Sequence, residues 1–188
     1  NFPPFLGERH YMVKFLKEEG LPKHLERFQD TVDDMLLNID TKYKGESQPI
    51  FFTVDEQFVK KGKTHRRGGV NIDGYWNEDL RCWGNSGGWG SIPNNGWGTS
   101  GWKFKDGFIT PESIVLASSQ AACKGYIGEY EGSIGEGGDC SNIDLSMLDS
   151  FMLEKNKVYK GNVMFLHESV PVSEDTERTV VRLNIKNI

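Results

Sequence analysis

The chain has 188 residues and a formal net charge of -5, and it is 12% aromatic with 22 glycines. A chain of this length can bury a proper core, and its acidic balance excludes a general nucleic-acid binder while leaving room for a local basic site. No apolar run reaches the ~18 residues that a membrane-crossing helix needs, no secretory signal is visible, and many glycines beside many aromatics point to strands and turns rather than a helical bundle.

Three cysteines, Cys82, Cys123 and Cys140, stand far apart with no CxxC pair. That pattern gives neither a zinc knuckle nor a disulfide framework. It reads as reduced thiols, so a cytoplasmic or other reducing compartment is expected, virion association included. A chain beginning at Asn1 rather than Met reads as trimmed or as part of a longer protein.

In chain order, residues 8–39 read as helical, because Leu21, Leu25, Phe28, Val32, Leu36 and Ile39 recur at spacings of three and four and Pro22 suits a first helical turn. After residue 49 the rhythm changes to β-branched and aromatic runs bounded by Gly, Pro, Asn or Asp, at 49–54, 68–76, 112–119, 123–130, 161–167 and 178–185. Residues 144–153 read as one short helix or turn. The expected class is α+β, mainly β, with a sandwich or jelly roll preceded by N-terminal helices. The expected organisation is a single domain over 1–188, with 1–48 as helical support and 49–188 as the β core.

Two glycine-rich segments, 83–102 and 132–142, read as long loops, a length that is uncommon unless functional. Three readings apply to the first. It folds back to bury its own indoles. It closes as a lid on glycine hinges. Or it presents Trp76, Trp83, Trp89, Trp97 and Trp102 to a protein partner.

The last strand carries the sharpest chemical signal. Alternation puts Thr179, Val181, Leu183 and Ile185 on one face and Arg178, Val180, Arg182 and Asn184 on the other. The first face is core. On the second, a half-buried arginine needs a carboxylate, supplied either by a side chain or by a bound organic acid. Eleven residues before Arg178, His167 closes the run "GNVMFLH" and shares a face with Val163 and Phe165. Taken alone, it reads as a packed histidine.

The order "NID" (Asn71–Asp73), then about ninety residues, then "HESVPVSEDTER", an H-x10-R spacing, resembles the Fe(II)/2-oxoglutarate-dependent dioxygenases. The resemblance covers about 50–188. It implies a double-stranded β-helix (a jelly roll) with a metal triad of the form HxD/E…H. By position it implies Asp73 as the carboxylate ligand, His167 as the distal imidazole ligand and Arg178 as the grip on the far carboxylate of 2-oxoglutarate. Arg182, on the same face, is implied in a secondary role: it assists Arg178 or pairs with an internal acid. The proximal histidine of the motif is replaced by Asn71.

Two imidazoles and one carboxylate hold Fe(II) on one face and leave open positions for co-substrate and O2. An amide oxygen is a neutral, weaker ligand, and even outer-shell changes cost ~10–100-fold in metal affinity. Asn71 therefore allows a degenerate site, a site working with a poorer ligand, or a substituted residue. His65 is a conceivable replacement ligand. The implied cofactors, Fe(II) and 2-oxoglutarate, are both conditional on an intact site.

Of the remaining features, "KKGKTHRR" (60–67) reads as a solvated turn, or as a phosphate or nucleic-acid contact beside the site. The glycines at 135, 137 and 138 do not fit GxGxxG, and no GxSxG, HExxH or P-loop occurs. Ser169, beside His167 and Glu168, is not a triad member, because strand neighbours point to opposite faces. The expected function is an oxygenase that hydroxylates an unnamed substrate if active. The alternative is a catalytically degenerate jelly roll, a pseudoenzyme used for binding or for structural assembly, a virion included. A third reading is a metal-independent, cupin-like sugar binder using the tryptophans.

Overall fold

The computed structural model describes residues 1–37, 48–73, 76–77, 82–83, 112–128, 130, 138–162 and 165–186. Its strands in chain order are β1 (Arg9–Phe15), β2 (Ile50–Val59), β3 (Trp76–Asn77), β4 (Cys82–Trp83), β5 (Glu112–Ser118), β6 (Cys123–Ile127), β7 (Asp149–Met152), β8 (Val158–Asn162), β9 (His167–Ser169) and β10 (Thr176–Lys186). A 3-10 turn (Lys23–Phe28) runs into one helix, α1 (Gln29–Leu37), between β1 and β2. The protein is mostly β, and all the pairings are antiparallel. Among the described residues no helix is long and apolar enough to cross a membrane.

The main sheet has the order β1-β2-β10-β5-β8. Its central strands β2 and β10 are covered on both faces, and period-two alternation gives each face a different character. One face carries Ile50, Phe52, Val54, Val115, Ala117, Val181, Leu183 and Ile185, packed on Leu25, Phe28, Val32 and Met35 of the helical layer. This apolar cluster is the main core, and burial of its side chains is the chief stabilising term. The opposite face carries Thr53, Asp55, Gln57, Leu116, Arg178, Val180 and Arg182, all lining one cavity.

A second, smaller sheet has the order β7-β6-β9. Asn71 extends it by antiparallel bridges to His167 and to Asp139. The backbone bonds of this extension are Asn71 N–H to the His167 carbonyl (2.8 Å), His167 N–H to Asn71 (3.0 Å), Ile72 N–H to Gly138 (3.0 Å) and Cys140 N–H to Val70 (2.9 Å). Val70, Ile72, Ile114, Tyr126, Cys140 and Leu166 form a second core beneath it. The cavity lies between the two sheets, because Asn71, Asp73, His167, Ser169 and Cys123 line it from the other side.

Several sequence expectations are corrected. Residues 9–15 form an edge strand, not helix. The apolar stripe begins only at Leu21, and β1 is held by its pairing with β2, which the local sequence does not encode. The N-terminal region therefore contributes a sheet strand as well as helical cover. The run 68–76 is not one strand: Asn71 makes isolated bridges, and Trp76–Asn77 pairs separately with Cys82–Trp83. The run 161–167 is divided, with β8 ending at Asn162 and β9 starting at His167. Within 144–153 a turn leads into β7, because Asp149–Met152 pairs with β6. The strand 49–54 extends to Val59, and β8 starts at Val158, ahead of any strand the pattern indicated. Ile39, Val163, Trp89, Trp97 and Trp102 lie outside the described residues.

A buried carboxylate fixes the N-terminal segment to the sheet. Glu56 accepts hydrogen bonds from Leu6 N–H (3.1 Å), Glu8 N–H (3.0 Å), Arg27 Nη2 (2.8 Å) and the Thr179 hydroxyl (3.3 Å). Burial pushes this carboxyl's pKa up, but the two backbone donors and Arg27 outweigh it and hold the group below its ordinary value.

Candidate functional site

The polar face of the main sheet is unusual for an interior surface, because polar side chains are buried only when partnered. The cavity that it lines measures about 590 Å3. Five arginines (Arg9, Arg66, Arg67, Arg178 and Arg182) line it against two aspartates, Asp55 and Asp73. Counting these arginines and aspartates alone, the cavity has an excess of positive charge and is suited to an anion.

At one end are Asp73, His167, Asn71 and Arg182. The His167 Nδ1 lies 2.9 Å from the Phe165 carbonyl. A carbonyl only accepts, so Nδ1 is the donor of this contact. The other ring nitrogen, Nε2, lies 3.7 Å from Asp73 Oδ2. The Phe165 ring stacks on the imidazole at 5.8 Å between centroids and fixes its plane.

Asp73 is already partnered: Arg182 Nη1 donates to its Oδ1. Burial pushes the Asp73 pKa up, but Arg182, then His167 and Arg66, outweigh it and hold the carboxyl below its ordinary range. Asn71 directs its amide nitrogen at two backbone carbonyls, those of His167 (3.1 Å) and Gly69 (3.1 Å). Its side chain thus locks the bridge that sets His167 in place.

These residues do not fit a three-ligand Fe(II) site. Two donors converge, the third position offers at most a neutral amide oxygen, and the carboxylate at this end is paired with Arg182. Among the described residues no three of His, Cys, Asp or Glu gather to hold a metal ion. His65 does not supply the missing ligand, because it packs against Asp55 instead.

The other end is built around Arg178, which is only 3% exposed. Its Nε donates to the Ser118 hydroxyl (3.2 Å) and its Nη1 to the Ser169 hydroxyl (3.3 Å). Among the described residues no carboxylate forms an ion pair with it. Burial lowers its pKa, only partly offset by Cys123 and Asp55. A buried guanidinium bonded only to neutral hydroxyls is a costly arrangement, and an organic anion is the group that would relieve it. The residues present fit the far carboxylate of 2-oxoglutarate in this respect.

Asp55 and His65 stand beside Arg178. Asp55 receives Arg9 Nε (2.9 Å), Gln57 Nε2 (3.0 Å) and the Tyr11 hydroxyl (3.1 Å), with His65 Nε2 at 3.3 Å. Sequence reading missed Asp55 as a site residue. Its signal was the alternation Thr53, Asp55, Gln57 along β2, which marks a second polar face. Ser118 and Ser169 carried no sequence signal as arginine partners. The basic turn 60–67 divides its roles: Lys60 pairs with Asp175 at 2.8 Å, His65 is buried, and Arg66 and Arg67 line the cavity. Trp76 and Trp83 are register partners in β3 and β4.

A second cavity of about 290 Å3 adjoins the first and shares Asp73, His167 and Leu116 with it. Phe151, Tyr159, Phe165, Ile114 and Ile127 make its lining predominantly apolar.

No family model matches the chain, and no curated protein matches it. A solved structure, EvdO2 from Micromonospora carbonacea var. aurantiaca complexed with 2-oxoglutarate, is similar over 94% of this chain and 67% of that one. Its TM-score is 0.47 and its sequence identity 9%.

Proposed function

We propose that the protein is a double-stranded β-helix of the Fe(II)/2-oxoglutarate oxygenase type that binds a small organic acid at Arg178 and lacks a complete iron site. It would act as an anion-binding module rather than as a hydroxylase. The observation that carries this reading is Arg178: a guanidinium 3% exposed, held by two serine hydroxyls in an arginine-rich cavity, with no carboxylate paired to it among the described residues. The family resemblance, which rests in part on the His167–Arg178 spacing, implies a carboxylate grip at the same residue.

A second reading, a working oxygenase, is favoured by one feature. His167 Nε2 lies 3.7 Å from Asp73 Oδ2, close together as two neighbouring metal ligands would be. In that case Asp73 and His167 would hold iron, which would supply the oxidative chemistry. Arg182 would have to release Asp73 first.

Thermal unfolding with 2-oxoglutarate and Mn(II), added singly and together, tests both readings. The binding reading expects stabilisation by 2-oxoglutarate alone, about 2.7 kcal/mol at 100 times its Kd. Arg178→Met should abolish it, and Mn(II) should add nothing. Mn(II)-dependent stabilisation of the native protein would instead establish the oxygenase reading. A metal response confined to Asn71→His would identify a site lost at that position. No response of the native protein to 2-oxoglutarate, glutarate or phosphate would sink the anion-binding reading.

A further inference from the structure

Arg178 has no carboxylate partner among the described residues, and a second ionisable group in this cavity is also poorly partnered. The His65 side chain is fully buried, at 0% exposure, and it lines the cavity. Neither of its ring nitrogens has a hydrogen-bond partner among the described residues. Nε2 is within ion-pair range of Asp55, at 3.3 Å, but is not aligned with it as a hydrogen bond. Asp55 meanwhile holds Arg9, Gln57 and Tyr11. A buried imidazole with Nδ1 unpartnered among the described residues and Nε2 only loosely placed on Asp55 bears an uncompensated desolvation cost. An acceptor atom entering the cavity would recover it.

We propose that His65 and Arg178 together form the anion receptor of this cavity, and that binding a carboxylate there draws one proton from solvent onto His65. The inference rests on the reading of the cavity as an anion site and assigns it a second binding residue. The groups that face His65 are Asp55 from β2, Arg178 from β10 and Arg66 from its own turn. Arg9 from β1 reaches the same Asp55 carboxylate, and Cys123 from β6 lies beside Arg178. Without a ligand, burial acts first and Arg178 and Arg66 act with it, so the imidazole's pKa is held below its ordinary value against the pull of Asp55. A bound carboxylate cancels the Arg178 charge and offers acceptor oxygens. The imidazolium is then the favoured form: one N–H serves Asp55 and the other serves the ligand. One proton is taken up for each anion bound, and Arg178 stays protonated throughout.

The shared chemistry is that of a compact oxyanion, and the probes separate its sources: glutarate and 2-oxoglutarate as organic acids, inorganic phosphate as the alternative. The experiment is titration calorimetry of the full chain in two buffers of different ionisation enthalpy, repeated with His65→Gln and His65→Asn. For the native protein with a dicarboxylate, the buffer-dependent heat should report uptake of about one proton, and affinity should fall about tenfold per pH unit above neutrality. Both variants should bind with no pH slope and weaker than the native protein below about pH 6.5. Three outcomes overturn the inference: native binding without proton uptake, variants that keep the native pH slope, or proton uptake for phosphate alone. The first of these needs no variant, so a misfolded substitution cannot leave the question open. Native binding with an unchanged His65 variant removes only this inference. A native protein silent to all three probes removes the anion-site reading itself.

Discussion

Arg182 on β10 and Asp73, 109 positions earlier in the chain, form an ion pair in the wall of the cavity. Arg182 sits four residues past Arg178 on the same face and opposite Thr53, while Asp73 follows the Asn71 bridge. The pair joins the two sheets. It also occupies the one carboxylate on which a metal site would depend.

Replacing Arg182 with Met should therefore cost stability. Removal of one partner from a buried pair leaves the other uncompensated, a loss of about 3 kcal/mol. Equilibrium urea unfolding measures it. Mn(II) stabilisation should stay absent in this variant and appear only when Asn71→His is combined with it, since two ligands do not make the triad.

Arg178→Met should behave in the opposite way. No carboxylate among the described residues loses a partner, and the serines lose only neutral contacts. The ligand-free protein should be unchanged or more stable by about 1 kcal/mol, or roughly 2–4 °C for a chain of this size. Its stabilisation by 2-oxoglutarate should vanish. A large loss of stability without ligand would mean that Arg178 is a structural anchor.

His65 sets an acid limit on the ligand-free fold. Its folded pKa lies below the ordinary value because burial, Arg178 and Arg66 outweigh Asp55. Below the unfolded pKa of about 6.5, the unfolded chain binds a proton that the folded chain resists. The contribution is therefore fully present above that pH and is lost as pH falls toward the folded pKa. His65→Gln should flatten this acid-side decline. Guanidinium unfolding of native and variant protein at about pH 7 and pH 5 checks the slope, and saturating glutarate should reverse it in the native protein.

Gly138 should tolerate no side chain. Its φ is +80°, and an added Cβ would lie 2.3 Å from the Ile72 carbonyl oxygen. That approach holds the 138–140 segment against Val70–Ile72, the stretch that leads into Asp73. Gly138→Ala should cost about 2–4 kcal/mol, and with it anion-dependent stabilisation should weaken, because the second sheet would shift. Thermal unfolding with and without 2-oxoglutarate measures both effects.

The residues differ in how much of their role was legible. The two faces of β10 were readable from alternation alone, because side chains on a strand reverse at each step whatever the fold. The apolar stripe from Leu21 to Leu36 was readable for the same local reason. Four of its buried members, Leu21, Leu25, Phe28 and Val32, pack in the main core. β1 was not readable. Its residues are mostly half-exposed, and only the β2 edge makes them a strand.

The site divides along the same line. Sequence by itself determined the chemical inventory: Asn71, Asp73, His167, Arg178 and Arg182. Tertiary structure alone decided what each residue does with its charge. It paired Arg182 with Asp73, turned the Asn71 amide to the backbone, left Arg178 among hydroxyls and buried His65 from a turn that reads as solvated. The reason is physical. Periodicity is a property of neighbours along the chain, whereas desolvation and charge pairing depend on groups about a hundred positions apart that meet only once the two sheets have closed.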